Sequence, residues 1–450
     1  MNSRREQLQY LLWRGRGSDL WFHRRNQDFE TKLGFFRVQV VNKRWWIIDP
    51  DNQPFVSLGI CHIAYKGERP ITISADTDPT GYSPYIEACD RRYGGDPEVW
   101  AAFQAKRLRR WGFNTVGSWS SVEMFRQGLV YTVMLGMART VQPNYWLEGS
   151  FPDVWSETFS SGIDQVAAQQ CAPRKDDPLL LGYFLDNEFD WYGHRQGKSM
   201  LARFMSLDAQ APGKRALVEL LRERHGGQIG HLNNAWDLDL QNFEQVQGLE
   251  ALCPGPRADA GAVAADEEAF VGLVAERYFA ECERAIRTVD PNHMILGVRF
   301  AGVTAPISVI EACGRHCEII SVNNYSYDAP VEALQTVFDA TWRPIMITEW
   351  SFKAMDSGLP NTKGAAIPVY TQEDRAEGYE RYATQALSVP CVVGLHWFQY
   401  TDQPLLGRAL DGENSNYGVV DVRDEPYSTL VERMRVVNAR AIEIAKAVHL

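Results

Sequence analysis

Apolar residues along this chain fall into short continuous runs that stop abruptly on polar and aromatic residues. The sharpest is 179–185, which ends at Asp186, Asn187 and Glu188 within LLGYFLDNEFDW. A run that is continuous rather than alternating, and too short for a core helix, predicts a strand buried on both faces of a parallel sheet. The same pattern returns at 344–350 (PIMITEW), where the apolar run stops at Glu349. Polar residues at strand C-termini are the mark of α/β sheets and barrels that carry chemistry at that end.

Taken in order, 1–30 predicts a charged, partly helical lead-in, and 35–48 a hairpin turning at Asn42 and Lys43. Strands follow at 55–63, 113–119, 131–137, 179–185, 294–300, 318–325, 344–350 and 391–400. Helices are predicted at 97–111 (Asp96 as N-cap, Pro97 at the first position), 213–226, 229–236 and 267–289. Residues 64–96 read as a long loop and 254–265 as a flexible surface connection. Eight strands mostly separated by helical stretches predict an α/β fold, a (β/α)8 TIM barrel with a short N-terminal β cap and long βα loops. The expected division is a lead-in and hairpin cap over 1–54, then a barrel with a C-terminal helix over 55–450.

Composition narrows the partners. A net charge of −11 argues against nucleic acid or an anionic membrane as the main partner, and no run of ~18 apolar residues is present to span a bilayer. A homo-oligomer is compatible with the sequence. The N-terminal stretch lacks an apolar core long enough for a signal peptide, so the expected location is cytoplasmic, or secreted if a leader had been removed. Among eight scattered cysteines only Cys313 and Cys317 are close, flanking His316 in CGRHC; without a second ligand pair this spacing makes a poor zinc site. No metal and no cofactor are expected.

In the barrel reading, Glu188 ends the fourth strand and Glu349 the seventh, across the mouth from each other. Two carboxylates flanking a bond are what glycoside hydrolysis requires: one donates a proton to the leaving oxygen, the other attacks or activates water. Their surroundings must push the two pKa values apart. Arg299 and Tyr325, near the ends of strands five and six, are placed to hold Glu349 ionised, and Asn187 to bond a sugar 2-hydroxyl. Further substrate contacts are expected from other strand-terminal residues: His62, Trp119, Asn324, Trp350, His396, Trp397 and Gln399. Trp191 also follows a strand, and the 401–418 loop, with Asp402, Arg408, Asp411 and Glu413, belongs at the rim.

Asn187-Glu188 after strand four and Glu349 in a TEW context resemble the retaining glycoside hydrolases of clan A. More narrowly, RLRRWGFNTVGSWS (107–120), GYFLDNEFDW (182–191), HLNNAW (231–236), DPNHMILGVRF (290–300), ITEWSFKAMDSGLP (347–360) and HWFQYTDQPLLGRALDGENSNYGVVDV (396–422) resemble glycoside hydrolase family 50, the β-agarases. The LNNAW element is also similar to family 42 β-galactosidases. The resemblance implies a barrel enzyme with Glu188 as acid/base and Glu349 as nucleophile, cleaving a β-linked, galactose-containing oligo- or polysaccharide. The family's large N-terminal binding domain has no counterpart in the short cap, which points to soluble oligosaccharides and exo-leaning action. An exo-acting β-galactosidase is the alternative activity; a non-catalytic carbohydrate-binding barrel is the alternative of another class.

Overall fold

The computed structural model describes residues 34–73, 82–143, 145, 150–191, 197–303 and 305–447. The expected lead-in over 1–30 lies outside them, as does part of the 64–96 loop.

An antiparallel sheet opens the described chain: β1 (Arg37–Val41), β2 (Arg44–Ile48) and β3 (Pro54–Phe55). Asn42 and Lys43 both adopt positive φ (51° and 59°), the geometry that a two-residue hairpin turn needs. The sheet docks at the base of the barrel. The buried Arg44 guanidinium donates to the carbonyls of Leu387 (3.0 Å) and Val392 (2.9 Å).

The barrel strands are β4 (Ser57–Ile60), β5 (Thr115–Val116), β6 (Val130–Met134), β7 (Leu180–Phe184), β8 (Met294–Ile295), β9 (Phe300–Ala301), β10 (Ile320–Asn323) and β11 (Ile345–Glu349). After β11, the loop holds a small parallel pair, β12 (Phe352–Ala354) and β13 (Ile367–Val369), before the last barrel strand, β14 (Val392–Trp397). Every pairing within the barrel is parallel, in the order β8-β7-β6-β5-β4-β14-β11-β10-β9.

That order closes on itself, because β8 and β9 are two halves of the strand expected at 294–300. The first half bonds β7 and the second bonds β10. Gly297 makes the break, with φ 85° and no room for a Cβ, which would lie 2.9 Å from Ser321 Oγ. Around it, Leu296 N–H donates to the Tyr183 carbonyl (2.7 Å) and Gly302 N–H to the Asn323 carbonyl (2.7 Å), so one segment joins both edges. The result is the expected eight-stranded (β/α)8 barrel with its N-terminal β cap. At Gly182 on β7 a Cβ would sit 2.3 Å from the Met294 carbonyl oxygen, so only glycine permits this strand spacing.

Two segments differ from expectation. The loop at 64–96 contains a helix, Pro84–Tyr93, started by Ser83 Oγ accepting from Ile86 N–H (3.1 Å) and stopped at Gly94, φ 70°. Its cap, Pro and Gly are ordinary helix signals, masked in the sequence by surrounding Gly, Pro and Asp. The connection at 254–265 is half helix: Ala260–Val289 begins at Asp259, whose carboxylate accepts from Gly261 and Ala262 N–H. Alanine's high helix propensity outweighs the loop-like composition there. The CGRHC segment packs against this long helix. His316 bonds Glu283 and Glu276 through its two ring nitrogens, each at 2.8 Å, while Cys313 and Cys317 are buried.

The His316 clamp makes barrel stability depend on pH. Burial opposes the charged imidazole, but the two carboxylates outweigh it and raise its pKa to about 9; the His316 hydrogen bond lowers Glu276 to about 2. The clamp is therefore complete between about pH 4.5 and 6.5. Its contribution is lost as pH rises through about 9, or falls towards about 2. Thermal melts should show His316→Gln losing more Tm at pH 6 than at pH 10; an equal loss at both would contradict the clamp.

Candidate active site

Beyond β7 the chain bends so that three consecutive residues serve different ends. Asp186 points into the protein, fully buried, where its carboxylate accepts from Ala138 N–H (2.8 Å) and the Tyr278 hydroxyl (2.6 Å). Burial raises its pKa to about 7. Tyr145 clasps the backbone of Asn187, its hydroxyl donating to the carbonyl and lying 3.1 Å from the amide nitrogen. Glu188 takes a left-handed conformation (φ 53°), with its N–H on the Arg299 carbonyl (3.2 Å), and its side chain is half-buried at the mouth. A non-glycine residue held at positive φ is strained backbone of the kind that collects at functional sites. Arg299 (φ 50°), His62 (φ 58°) and Trp119 (φ 61°), each near a barrel strand's C-terminal end, share it.

Glu349 closes β11 and is buried. Arg299 Nη2 lies 3.0 Å from its Oε1 and the Tyr325 hydroxyl donates to its Oε2 at 2.7 Å. Arg299 also donates through Nη1 to Asn187 Oδ1 (3.0 Å) and through Nη2 to the Thr348 carbonyl (2.8 Å). Its guanidinium stacks on Trp119, 4.1 Å from the ring centroid. Asn323 Nδ2, at the end of β10, donates to both Glu188 Oε1 (3.0 Å) and Asn187 Oδ1 (3.1 Å). Glu188, Asn187, Arg299, Tyr325 and Glu349 thus form one hydrogen-bonded group across the barrel mouth.

The electrostatics centre on Glu349. Burial raises its pKa to about 7, helped by the charge of Glu188 and opposed by Arg299, the Tyr325 hydrogen bond and Arg408. Tyr325 is held far above the usual phenol range, first by burial and then by Glu349, so it stays a donor. Cys61 lies beneath Arg299, and burial pushes its thiol up to about 12, which removes it as a nucleophile.

One flank of the site is walled. The segment after β4 and the loop after β14 are stitched by backbone bonds, Ile71 N–H to the Gly407 carbonyl and Ala409 N–H to the Arg69 carbonyl, both 2.8 Å. Arg408 ties them further, meeting Glu68 (3.4 Å), Asp411 (2.8 Å) and Glu413 (3.0 Å). Glu68 reaches His62 (3.5 Å), which packs with Trp119 and Phe398; on the other side Tyr417 packs against Phe398 and Tyr325. The half-buried rings of His62, Trp119 and Tyr325 and the buried rings of Phe398 and Tyr417 therefore line this end.

Other expected contacts sit deeper. Trp350 is 1% exposed, with its ring stacked on Tyr379 and Tyr382. Trp397 is fully buried and donates to the Tyr417 carbonyl (2.9 Å). His396, also buried, bonds Ser57 Oγ through Nε2 (2.8 Å), and burial lowers its pKa to about 3, which keeps it neutral. Gln399 Nε2 donates to the Thr401 carbonyl (2.8 Å). The Asn324 amide oxygen is taken by Tyr382 (3.0 Å) and Ser326 (2.5 Å). All five are engaged by other groups of the protein. Trp191 is buried among Phe151, Phe189, Tyr278 and Phe279. Asn323, Thr348, Glu68 and Tyr417 are not among the expected contacts; Asn323 carries a signal as a polar residue ending a strand, and Tyr417 lies in the 401–418 loop placed at the rim. Among the described residues, no group of three or more His, Cys, Asp or Glu is arranged to hold a metal ion.

No protein-family model matches the chain. β-Agarase A of Vibrio sp. (strain JT0107) is 27% identical over 466 residues, covering 91% of this chain and 46% of that protein. In structure, the chain matches an exo-β-agarase with a TM-score of 0.80 and 24% identity, covering 93% of this chain and 66% of that one. PfGH50B matches at 0.81 and 23%, covering 93% and 68%. The chain is similar in sequence to these β-agarases and in fold to PfGH50B. It spans about half the length of the curated β-agarases it matches. These solved structures share the fold of this chain.

The network makes a measurable claim about Glu349. Followed by its carboxyl carbon NMR shift, Glu349 should titrate at about 7. Tyr325→Phe removes a bond that favours the ionised form and should move the midpoint upward. An unchanged or lowered midpoint would contradict the geometry.

Proposed function

We propose that this protein is a retaining β-glycoside hydrolase acting on galactose-containing, agarose-like chains. What carries the reading is the placement of Glu188 and Glu349 after β7 and at the end of β11, joined through Asn187, Arg299, Asn323 and Tyr325. The likeness to proteins named β-agarase supports the substrate class.

In this reading the two carboxyls divide the work by their surroundings. Glu349 is fixed at both oxygens by a cation and a phenol, which aim its carboxylate at the anomeric carbon and offset part of the burial that raises its pKa to about 7. Its burial raises the nucleophilicity of the carboxylate by stripping water from it, with Arg299 offsetting the cost of the buried charge. Glu188, half-buried and facing the mouth, donates a proton to the departing sugar oxygen. The covalent glycosyl ester on Glu349 is then opened by a water from which Glu188, now ionised, takes a proton. Asn187, its amide oxygen turned to Arg299 and Asn323, has its NH2 left as a donor for a sugar hydroxyl.

Two substitutions test the roles. Glu349→Gln should abolish turnover on every substrate, because no covalent intermediate forms. Glu188→Gln should lose on the order of 10²–10⁴-fold with a sugar leaving group, the typical worth of a general acid. It should be largely spared in kcat/KM with a dinitrophenyl leaving group, and azide should rescue its turnover by giving a β-glycosyl azide. Equal losses on both leaving groups, with no azide effect, would assign the acid/base role elsewhere.

A further inference from the structure

Asn323 stands between the two proposed reacting carboxyls and is 2% exposed. Its orientation follows from its neighbours. Arg299 has only donors, so the Asn187 atom 3.0 Å from Nη1 must be the amide oxygen. The Asn323 atom 3.1 Å from that same oxygen must then be its nitrogen. The second hydrogen of this NH2 group points at Glu188 Oε1, 3.0 Å away. The Asn323 amide oxygen is left facing Thr348, whose hydroxyl meets it at 2.9 Å. Thr348 precedes Glu349 in β11, and its carbonyl is held by Arg299. A single relay of fixed polarity therefore runs from Arg299 through Asn187 and Asn323 to Glu188, braced from the Glu349 strand.

We propose that Asn323 is a positioning residue for the acid/base, and that it determines which oxygen of Glu188 carries the transferred proton. Oε1 permanently accepts a hydrogen bond from a donor that cannot turn over, so the proton resides on Oε2. The carboxyl is thereby held in one rotamer and one protonation geometry when the leaving oxygen arrives. This inference rests on the acid/base role proposed for Glu188.

The test compares kcat/KM, which reports the first irreversible step, for an agaro-oligosaccharide and for a dinitrophenyl β-glycoside of the same glycone. Wild type, Glu188→Gln, Asn323→Ala and Thr348→Val are measured, with thermal melts on each. Asn323→Ala should lose about 10- to 100-fold with the sugar leaving group, a fraction of a general acid's full worth, and at least ten times less with the aryl group. Thr348→Val removes the brace on the Asn323 amide oxygen together with a longer bond to the Val322 carbonyl (3.2 Å), and leaves the Asn323 side chain itself in place. It should show the same imbalance at smaller size, and it carries the test if Asn323→Ala does not fold. Equal losses on both substrates, or none on either, would overturn the positioning role. If Glu188→Gln itself shows no imbalance, the acid/base assignment falls and this inference with it; an imbalance in Glu188→Gln alone overturns only the role of Asn323.

Discussion

The site depends on one buried cation. Arg299 is fully covered, yet it bonds Glu349, Asn187 and the Thr348 carbonyl, and sits over the Trp119 ring. A lone buried guanidinium would be prohibitive, so its partners are as necessary to it as it is to them. Breaking such a pair by removing one member typically costs about 3–5 kcal/mol, because the other charge is left uncompensated. Arg299 stands where the fifth strand breaks, two residues after Gly297, in a left-handed conformation. The same irregularity therefore closes the barrel and delivers the charge that organises its mouth.

From that charge the polar order spreads in a definite direction. Because arginine can only donate, it fixes Asn187, which fixes Asn323, which fixes one oxygen of Glu188. On the other side it shares Glu349 with Tyr325. Beneath this layer His396 is buried against Ser57, while Trp350 and Trp397 pack on Tyr379 of the helix Gln372–Leu387. Above it, Arg408 gathers Glu68, Asp411 and Glu413 so that two loops become one wall.

Much of this was legible in the sequence, and the reasons are physical. Buried parallel strands must be continuously apolar, so the barrel strands, and Glu188 and Glu349 where two of them stop, announce themselves in one dimension. The helix at Pro84–Tyr93 carried its cap signals too, but in a segment rich enough in Gly, Pro and Asp to read as loop. What the sequence could not convey was which strand-end side chains turn inward. Trp350 and Trp119 both follow strands, yet one is buried in an aromatic stack and the other lies at the mouth against Arg299. Nor could it show that Asn323, rather than Asn324, reaches the carboxyls. A strand's alternation separates adjacent residues to opposite sides, and the register of the last turn decides between them only in three dimensions.

The central claim is that Glu349 attacks the sugar while Glu188 supplies and then recovers a proton. Carboxyls serving as nucleophile and acid/base on a common bond stand ~5–5.5 Å apart, and the product keeps the anomeric configuration of the substrate. Proton NMR of the first product formed from a β-linked agaro-oligosaccharide, recorded before mutarotation, tests this most directly. The account predicts a β-anomer at the new reducing end. An α-anomer appearing first would mean that water, not Glu349, attacks the sugar, and would contradict it.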